Sequence, residues 1–233
     1  MSLEIEVVED PARACSAMLL GACVGGGDLV LTGGSTPRDA YSHLASALRD
    51  MELDPSGATL WFSDERCVGP DDELSNFRLV KESLLSGLNG LPQPEVQRIQ
   101  GELGPQEAAE AYERELSEAG EPRFELVLLG LGPDAHIASM FPGQASLSER
   151  SRLALGVPEA GHEPYVPRVT LTLPVLANAE RIVFLVTGEA KAEAVAKAFG
   201  PAAKPDPSIP ASMLVPLAEE VTVLLDPAAA ARL

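Results

Sequence analysis

The sequence predicts an α/β protein in which a mostly parallel sheet is covered by helices on both faces. Apolar runs of strand length alternate with helical segments along the 233 residues, which is typical of parallel sheets. Residues 126–129 are continuously apolar, as in a strand buried on both faces. Glycines and polar residues follow several strands directly, and in open α/β sheets ligands bind beyond those strand ends. Without repeats or composition shifts, we expect one domain over residues 1–233.

Composition narrows the classes of partner. The chain is 45% hydrophobic, which is enough for a substantial core, and its formal net charge is -18. A strongly acidic chain repels nucleic acid and anionic lipid, so we expect neither as a partner. The three cysteines (Cys15, Cys23 and Cys67) lack metal-site spacing, and the N-terminus lacks the features of a signal peptide. We therefore expect a cytoplasmic protein without a membrane span or a metal.

The first half of the chain alternates predicted strands and helices. Residues 3–8 alternate apolar and charged side chains like an edge strand, and Pro11 suits the first turn of a helix over 11–24. The other elements predicted here are a strand at 29–31, a helix at about 37–48, a strand at 59–63, a helix from about 75 to 86, a loop at 87–94 and a helix at 105–118.

The second half is predicted to begin with the central strand of the sheet at 125–129. His136 lies just beyond the following turn, where we expect a helix to begin. Residues 143–167 are polar and irregular and are predicted to form a long surface loop. The remaining predictions are strands at 169–173, 181–186 and 221–225, a helix at 189–199, and a loop through the prolines between 201 and 210.

The stretch Thr32–Pro37 has the composition of an anion site. Gly33 and Gly34 let backbone N–H groups approach a ligand, Ser35 and Thr36 add hydroxyl donors, and Pro37 suits the start of a helix. A helix N-terminus placed there attracts a phosphate. An ordinary capped strand-to-helix turn is the alternative. A Walker A loop is excluded, because its Lys-Ser/Thr ending is missing.

Three cations stand beside turns of this kind. Arg66 follows a strand and Arg78 lies near a helix start, where guanidinium groups suit phosphate; surface ion pairs with neighbouring carboxylates are the alternative. Lys191 falls in the first turn of a helix, where the dipole disfavours a cation. A bound anion would explain that position, and a solvated lysine would also fit it.

The turn after the central strand carries an imidazole and a carboxylate. Asp134 and His136 follow Gly130 and Gly132, so they fall where this architecture places chemistry. A lone loop histidine is more often a surface residue, and His43 and His162 are assigned to the surface. A dinucleotide is not expected, because Ala135 replaces the last glycine of GxGxxG; a GxSxG nucleophile elbow is also absent.

Four motifs resemble the 6-phosphogluconolactonase family, part of the wider glucosamine/galactosamine-6-phosphate isomerase and 6-phosphogluconolactonase family. They occur in that family's order and cover most of the chain: Gly33–Pro37, Ser63–Arg66 followed by Ser75-Asn76, Gly130–Pro142, and Pro210–Ser212. The resemblance implies a three-layer α/β/α sandwich with a Rossmann-like sheet, like that of the sugar-phosphate isomerases. It also implies cofactor-free hydrolysis of 6-phospho-D-glucono-1,5-lactone in the cytoplasmic pentose phosphate pathway.

This resemblance assigns roles to the candidate residues. His136 would act as general base, with Asp134 orienting the ring or the water. The phosphorylated substrate would be held by the remaining candidates, which are Gly33, Gly34, Ser35, Thr36, Arg66, Arg78 and Lys191. Arg66 could instead stabilise the oxyanion that develops on the lactone carbonyl. The chain departs from the family at Ala135, where the usual residue is glycine, so a positive φ there would be strained. We expect a monomer; a glucosamine-6-phosphate deaminase and a non-catalytic sugar-phosphate sensor are the alternatives.

Overall fold

The computed structural model describes residues 2–233 and contains two sheets. The larger sheet contains the strands β1 (Ser2–Val7), β2 (Asp28–Leu31), β3 (Thr59–Phe62), β5 (Glu95–Val96), β6 (Phe124–Leu129), β9 (Ala179–Val186) and β10 (Glu220–Leu225), numbered in chain order. All of its strand pairs are parallel, and the strands lie in the order β1-β10-β9-β6-β2-β3-β5. A smaller antiparallel sheet has the order β4-β8-β7, formed by β4 (Asp64–Arg66), β7 (Ala154–Val157) and β8 (Arg168–Leu171).

Seven α-helices connect these strands within residues 2–233. They are α1 (Pro11–Val24), α2 (Ser35–Asp50), α3 (Asn76–Ser83), α4 (Pro105–Glu118), α5 (Leu173–Ala177), α6 (Ala192–Phe199) and α7 (Pro210–Leu214). Helix α1 begins as its sequence predicts: Pro11 occupies the first turn, and the Asp10 carboxylate accepts a hydrogen bond from the Arg13 backbone N–H at 3.0 Å. None of the helices in the described chain is both long enough and apolar enough to cross a bilayer.

The central strands are buried on both faces, which confirms the predicted fold class. Successive strand residues point to opposite faces of a sheet. Residues 126–129 of β6 and 182–186 of β9 are nevertheless all buried, so helices and connecting segments cover both faces. Strand β1 pairs only with β10 and lies at the sheet edge, as its alternating sequence predicts.

The order of the strands creates a crevice between β2 and β6. From β2 the chain proceeds to β3 and β5 on one side, then returns through α4 to β6 on the other side. The segments that leave the carboxyl ends of β2 and β6 therefore diverge, and a ligand site is expected at this switch point.

Two buried tyrosines hold the carboxyl ends of neighbouring strands. The Tyr41 hydroxyl, on α2, donates to the Thr32 carbonyl at 2.8 Å and accepts from the Thr32 N–H at 3.0 Å. The Tyr112 hydroxyl, on α4, forms the same pair of bonds with Phe62, at 3.1 and 2.8 Å. Each hydroxyl thus satisfies two buried backbone groups at the end of a strand.

The structure corrects several sequence predictions. The predicted loop at 143–167 contains strand β7, and the polar residues 64–66 form strand β4 of the small sheet. No helix begins at His136, because residues 133–134 and 138–139 form two separate turns and Ile137 and Met140 form an isolated β-bridge. The predicted loop before residue 210 ends in the short helix α7, and the loop at 87–94 is followed by the short strand β5.

Candidate active site

A pocket of about 270 Å³ occupies the crevice at the carboxyl ends of the parallel strands. The turns after β2, β6 and β9 contribute to its wall, and the small sheet closes one side. The segments that line it include Thr32–Pro37, Gly130–Pro133, Leu185–Thr187 and the single residues Asp64, Arg66, Asn76, His136, Ala138, His162, Glu163, Arg168 and Lys191. Most of the candidates named from the sequence therefore meet in one place.

The glycine turn after β2 leaves a helix N-terminus open to the pocket. Gly34 has φ +116°, a conformation that favours glycine, and α2 starts at Ser35 without a side-chain cap. A Cβ at Gly33 would lie 1.9 Å from the Asn76 Oδ1 atom, so a side chain is sterically excluded there. The first N–H groups of α2 thus point at the pocket without a capping side chain, as an anion site requires.

The turn after β6 holds the His136 ring through Asp134. The His136 Nδ1 atom lies 2.6 Å from the Asp134 Oδ1 atom, and the His136 backbone N–H donates to the same oxygen at 3.2 Å. A carboxylate accepts, so Nδ1 carries the proton and Nε2 is left as a basic lone pair. Burial alone would raise the pKa of Asp134, but hydrogen bonds from His136 and its charge lower the pKa to about 2.

Ala135 sits in this turn with φ +64°, so the position does require a left-handed backbone. Its carbonyl accepts a hydrogen bond from the Ala211 N–H at 3.1 Å, which ties the turn to α7. Gly132 is also constrained, because a Cβ there would lie 2.1 Å from the His136 Nδ1 atom. The imidazole is therefore fixed by backbone geometry on one side and by Asp134 on the other.

Two arginines lie side by side on neighbouring strands of the small sheet. Arg66 and Arg168 are directly paired residues of β4 and β8, and both line the pocket. Like charges directly opposite on neighbouring strands repel. Both Nε atoms are also buried without a hydrogen-bond partner. Desolvation lowers the pKa of Arg168, and the charge of Arg66 lowers it further, whereas Asp64 raises it. An anion bound in the pocket beside the two guanidinium groups would relieve this repulsion.

Lys191 joins the pocket from the end of β9. The side chain is half-buried and forms no ion pair within the described chain. Burial lowers the pKa of its ammonium group, and the nearby Asp134 carboxylate partly offsets that effect. The Thr36 and Thr187 hydroxyls lie 2.8 Å apart, which holds the start of α2 beside the β9 end. Lys191 is thus a partly desolvated cation next to the helix N-terminus.

Arg78 lies outside the pocket. Its Nε atom donates to the Glu82 carboxylate at 2.7 Å, and its Nη1 atom donates to the Asp71 carbonyl at 2.9 Å. Hydrogen bonding to Glu82 raises the pKa of Arg78. The position near the start of α3 is as predicted, but the side chain turns away from the pocket toward a carboxylate one helical turn later.

Glu65 caps α3 instead of pairing with the neighbouring Arg66 guanidinium. Its Oε1 atom accepts from the Asn76 N–H at 2.7 Å, and its Oε2 atom accepts from the Phe77 N–H at 2.8 Å and the Ser75 hydroxyl at 3.0 Å. Desolvation raises the pKa of this carboxyl, although hydrogen bonds from the backbone N–H groups of Asn76, Phe77 and Arg66 lower it. The capping leaves Arg66 free of its neighbour and fixes Asn76 beside the glycine turn.

Asp64 contributes a buried carboxylate to the pocket. Its Oδ2 atom accepts from the Ser139 hydroxyl at 2.6 Å, and its Oδ1 atom accepts from the Asn76 amide at 3.2 Å. The sequence motif included this residue without giving it a role. Asp64 links β4, α3 and the turn that follows His136, so it joins the two halves of the site.

His162 and Arg168 were missed as site residues. His162 lies in a loop, as predicted, but its ring borders the pocket 5.4 Å from the His136 ring. Arg168 begins β8, and only 3% of it is exposed. An arginine at the start of an otherwise uncharged strand (Val169 to Leu171) was the available signal, since a buried guanidinium needs partners. Within residues 2–233, no cluster of three or more potential ligand side chains has the geometry of a metal site.

Comparison with known proteins places the chain in a family. The model of the family described as Glucosamine-6-phosphate isomerases/6-phosphogluconolactonase matches residues 6–223. The chain is 39% identical over 178 residues to the 6-phosphogluconolactonase of Rattus norvegicus, covering 74% of this chain and 66% of the rat protein. It is 37% identical over 215 residues to that of Mycobacterium leprae (strain TN), covering 88% and 84%.

A solved structure shows the same relationship over the whole chain. The 6-phosphogluconolactonase from Trypanosoma brucei superimposes with a TM-score of 0.81 at 27% sequence identity, covering 100% of this chain and 99% of that one. The fold described above is therefore shared with that protein.

Proposed function

Because the chain belongs to the glucosamine-6-phosphate isomerase and 6-phosphogluconolactonase family, we propose that it hydrolyses 6-phospho-D-glucono-1,5-lactone to 6-phosphogluconate. One observation carries this proposal: an imidazole held by Asp134 shares a pocket with the opposed arginines Arg66 and Arg168. The imidazole can activate a water molecule, and the paired guanidinium groups favour the binding of an anion. A phosphorylated lactone supplies both an electrophilic carbonyl and that anion.

The phosphate is held at the open end of α2. Backbone N–H groups of Gly33, Gly34, Ser35 and Thr36 and the helix dipole attract it, and the two hydroxyls add donors. Lys191 and the arginine pair line the same pocket and neutralise the phosphate charge. Such contacts are equally strong in the ground state and the transition state, so their loss raises KM more than it lowers kcat.

The lactone carbonyl is attacked by a water that His136 activates. The Nε2 atom takes a proton from the water as the water oxygen bonds to the carbonyl carbon. The tetrahedral intermediate then collapses, the bond to the ring oxygen breaks, and the imidazolium returns the proton to that oxygen. Asp134 holds the ring in the required tautomer and stabilises the transient imidazolium. The resulting carboxylic acid ionises in water.

We extend the proposal to the whole chain as one domain acting as a monomer in the cytoplasm. The large and small sheets meet at the pocket, since β4 follows β3 after one residue and pairs with β8. The substrate is a small molecule that fits a pocket of this size. Size-exclusion chromatography with light scattering tests the monomer, which a dimer mass would contradict.

The central experiment compares lactone hydrolysis with the spontaneous reaction. Freshly generated 6-phosphogluconolactone is followed by stopped flow with and without the protein, beside unphosphorylated gluconolactone. We expect acceleration of the phosphorylated lactone and at least about 100-fold lower kcat/KM for the other, because the phosphate contacts are charge-assisted. Ammonia release from glucosamine 6-phosphate is assayed in parallel. Ammonia release without lactone hydrolysis would favour the deaminase, and binding without either reaction would favour a sensor.

A further inference from the structure

A second imidazole borders the pocket and has no part in the reaction described above. The His162 and His136 rings lie 5.4 Å apart between centroids, with 46° between their planes. His162 is half-buried, and its side chain contributes to the pocket wall. The proposed reaction uses only the His136 imidazole, so the His162 imidazole can bind another group of the substrate.

Contacts with Arg168, which packs on Phe141, fix the position of His162. The Arg168 Nη2 atom donates to the His162 carbonyl at 2.9 Å and to the Pro164 carbonyl at 3.0 Å. The Arg168 guanidinium lies 5.3 Å from the centre of the Phe141 ring, which in turn lies 4.8 Å from the His136 ring. His162 is therefore anchored through Arg168 and Phe141 to the same ring that it contacts directly.

The hydrogen bonding of His162 determines what its free nitrogen can do. The Nδ1 atom lies 2.9 Å from the Glu163 carbonyl oxygen. A carbonyl only accepts, so Nδ1 carries the proton in the neutral ring and Nε2 is an acceptor. No side chain or backbone group in residues 2–233 hydrogen-bonds this Nε2 atom. The Nε2 atom of His162 can therefore accept a hydrogen bond from a ligand in the pocket that this residue lines.

We propose that His162 recognises the hydroxyl on the carbon next to the lactone carbonyl, an inference that rests on the proposed function. His136 must lie beside the carbonyl carbon, and the ring contact places His162 close to the same end of the substrate. Three substrate oxygens lie there: the carbonyl oxygen, the ring oxygen and the hydroxyl on carbon 2. The first two only accept hydrogen bonds. Only the hydroxyl can donate to an acceptor nitrogen.

The test removes the His162 acceptor and the substrate hydroxyl separately and together. The kcat/KM of wild type and His162→Phe is measured on 6-phosphogluconolactone and on its 2-deoxy counterpart, prepared by oxidation of 2-deoxyglucose 6-phosphate. Phenylalanine keeps the ring that packs on His136 and removes the acceptor. We expect the wild-type preference for the hydroxylated lactone to fall about five- to tenfold in the variant. The intrinsic reactivities of the two lactones cancel in this ratio of ratios.

The outcomes separate the possible failures. An unchanged preference in a slower variant would overturn the proposal, because His162 would then only pack against His136. A wild type inactive on both lactones would instead remove the proposed function. If His162→Phe does not fold, His162→Leu carries the same comparison. Tyr165→Phe is the control, since Tyr165 lies in the same loop with 71% of its surface exposed, and its ratio should match wild type.

Discussion

At His136, the chemistry depends on which ring nitrogen carries the proton. Asp134 fixes it on Nδ1, so His136→Asn removes the base while preserving a polar side chain. We expect kcat to fall about 100- to 10,000-fold. Asp134→Asn should lower kcat less, since the base remains but its tautomer is no longer enforced. Stopped-flow turnover at pH 7 measures both, and full activity of His136→Asn would refute the assignment.

The lowered pKa of Asp134 predicts how the stability of the fold depends on pH. Because this pKa is lowered to about 2, the carboxylate stays charged at every pH above about 4. Its ionisation stabilises the fold above the ordinary pKa of an aspartate, and that contribution is lost as pH falls toward 2. Asp134→Asn should therefore flatten the acid end of the stability profile, as followed by chemical denaturation between pH 2 and pH 5.

Ala135 is a strained residue at the centre of the catalytic turn. An alanine in the left-handed region costs about 1–2 kcal/mol, whereas glycine loses about 0.5–1 kcal/mol of chain entropy on folding. We therefore expect Ala135→Gly to raise the free energy of unfolding by about 0.5–1 kcal/mol and to leave kcat within about twofold. Urea denaturation measures the first quantity.

Ala47→Gly is the matched control for Ala135→Gly. Ala47 lies within α2 in a regular helical conformation, where glycine destabilises by about 1 kcal/mol. The two substitutions delete the same methyl group and should have opposite signs. Destabilisation by both would show that the backbone at residue 135 is not strained.

The Lys191 side chain lines the pocket, whereas the Arg78 side chain lies outside it. Lys191→Ala should raise KM about 10- to 100-fold with little change in kcat, because it removes a desolvated contact to the phosphate. Arg78→Ala should leave KM within about twofold, since the Arg78 side chain pairs with Glu82 outside the pocket. Steady-state kinetics of both variants decide the matter. A large KM effect from Arg78→Ala would restore its predicted role.

The lowered pKa of Lys191 predicts the direction of the alkaline response. Burial favours the neutral amine, so Lys191 loses its charge at lower pH than an ordinary lysine. Phosphate binding should weaken as pH rises, and KM should increase on the alkaline side in wild type. The Lys191→Ala variant should lack this increase.

Among the elements, the ends of β2 and β3 are held by equivalent tyrosines with different neighbours. Tyr41→Phe leaves the buried N–H and carbonyl of Thr32 without partners, and Tyr112→Phe does the same to Phe62. We expect each to lower the free energy of unfolding by about 1–3 kcal/mol. Thr32 lines the pocket and Phe62 does not, so only Tyr41→Phe should also raise KM. Equal KM effects would mean that strand-end geometry does not control phosphate binding.

The same elements show why part of the site could be predicted from sequence. The candidates Gly33–Thr36, Arg66, His136 and Lys191 come shortly after β2, β3, β6 and β9, respectively. Polar residues after buried strands can be recognised locally. The predicted family is confirmed by the matching family model and relatives. The α/β class is also confirmed, because buried parallel strands have a strong sequence pattern.

The small sheet could not be predicted, because it depends on pairing between distant segments. Strand β8 runs antiparallel to β4, so its beginning, not its end, meets the pocket. Arg168 and the preceding His162 therefore reach the site from a segment that was predicted as a loop and strand start. Strand β7 contains Gly156, whose missing Cβ would lie 2.6 Å from the Pro105 carbonyl oxygen. A glycine that only close packing explains gives no local strand signal.

Over the whole molecule, 35 acidic side chains oppose 17 basic ones, so the formal net charge is -18. The substrate is an anion, and it must approach through this field before it meets the few cations of the pocket. The Debye length falls from about 30 Å at 0.01 M salt to about 10 Å at 0.1 M. Moderate salt therefore screens the distant carboxylates more than the pocket cations that contact the phosphate.

We expect kcat/KM for 6-phosphogluconolactone to rise roughly two- to fivefold between about 0.01 and 0.1 M sodium chloride, because screening removes long-range repulsion. Unphosphorylated gluconolactone is uncharged, so its hydrolysis should not depend on salt. Stopped-flow rates for both lactones across a salt series provide the comparison. A steady fall in kcat/KM from the lowest salt upward would show that the pocket cations govern approach even at long range, with the acidic surface having no influence on capture.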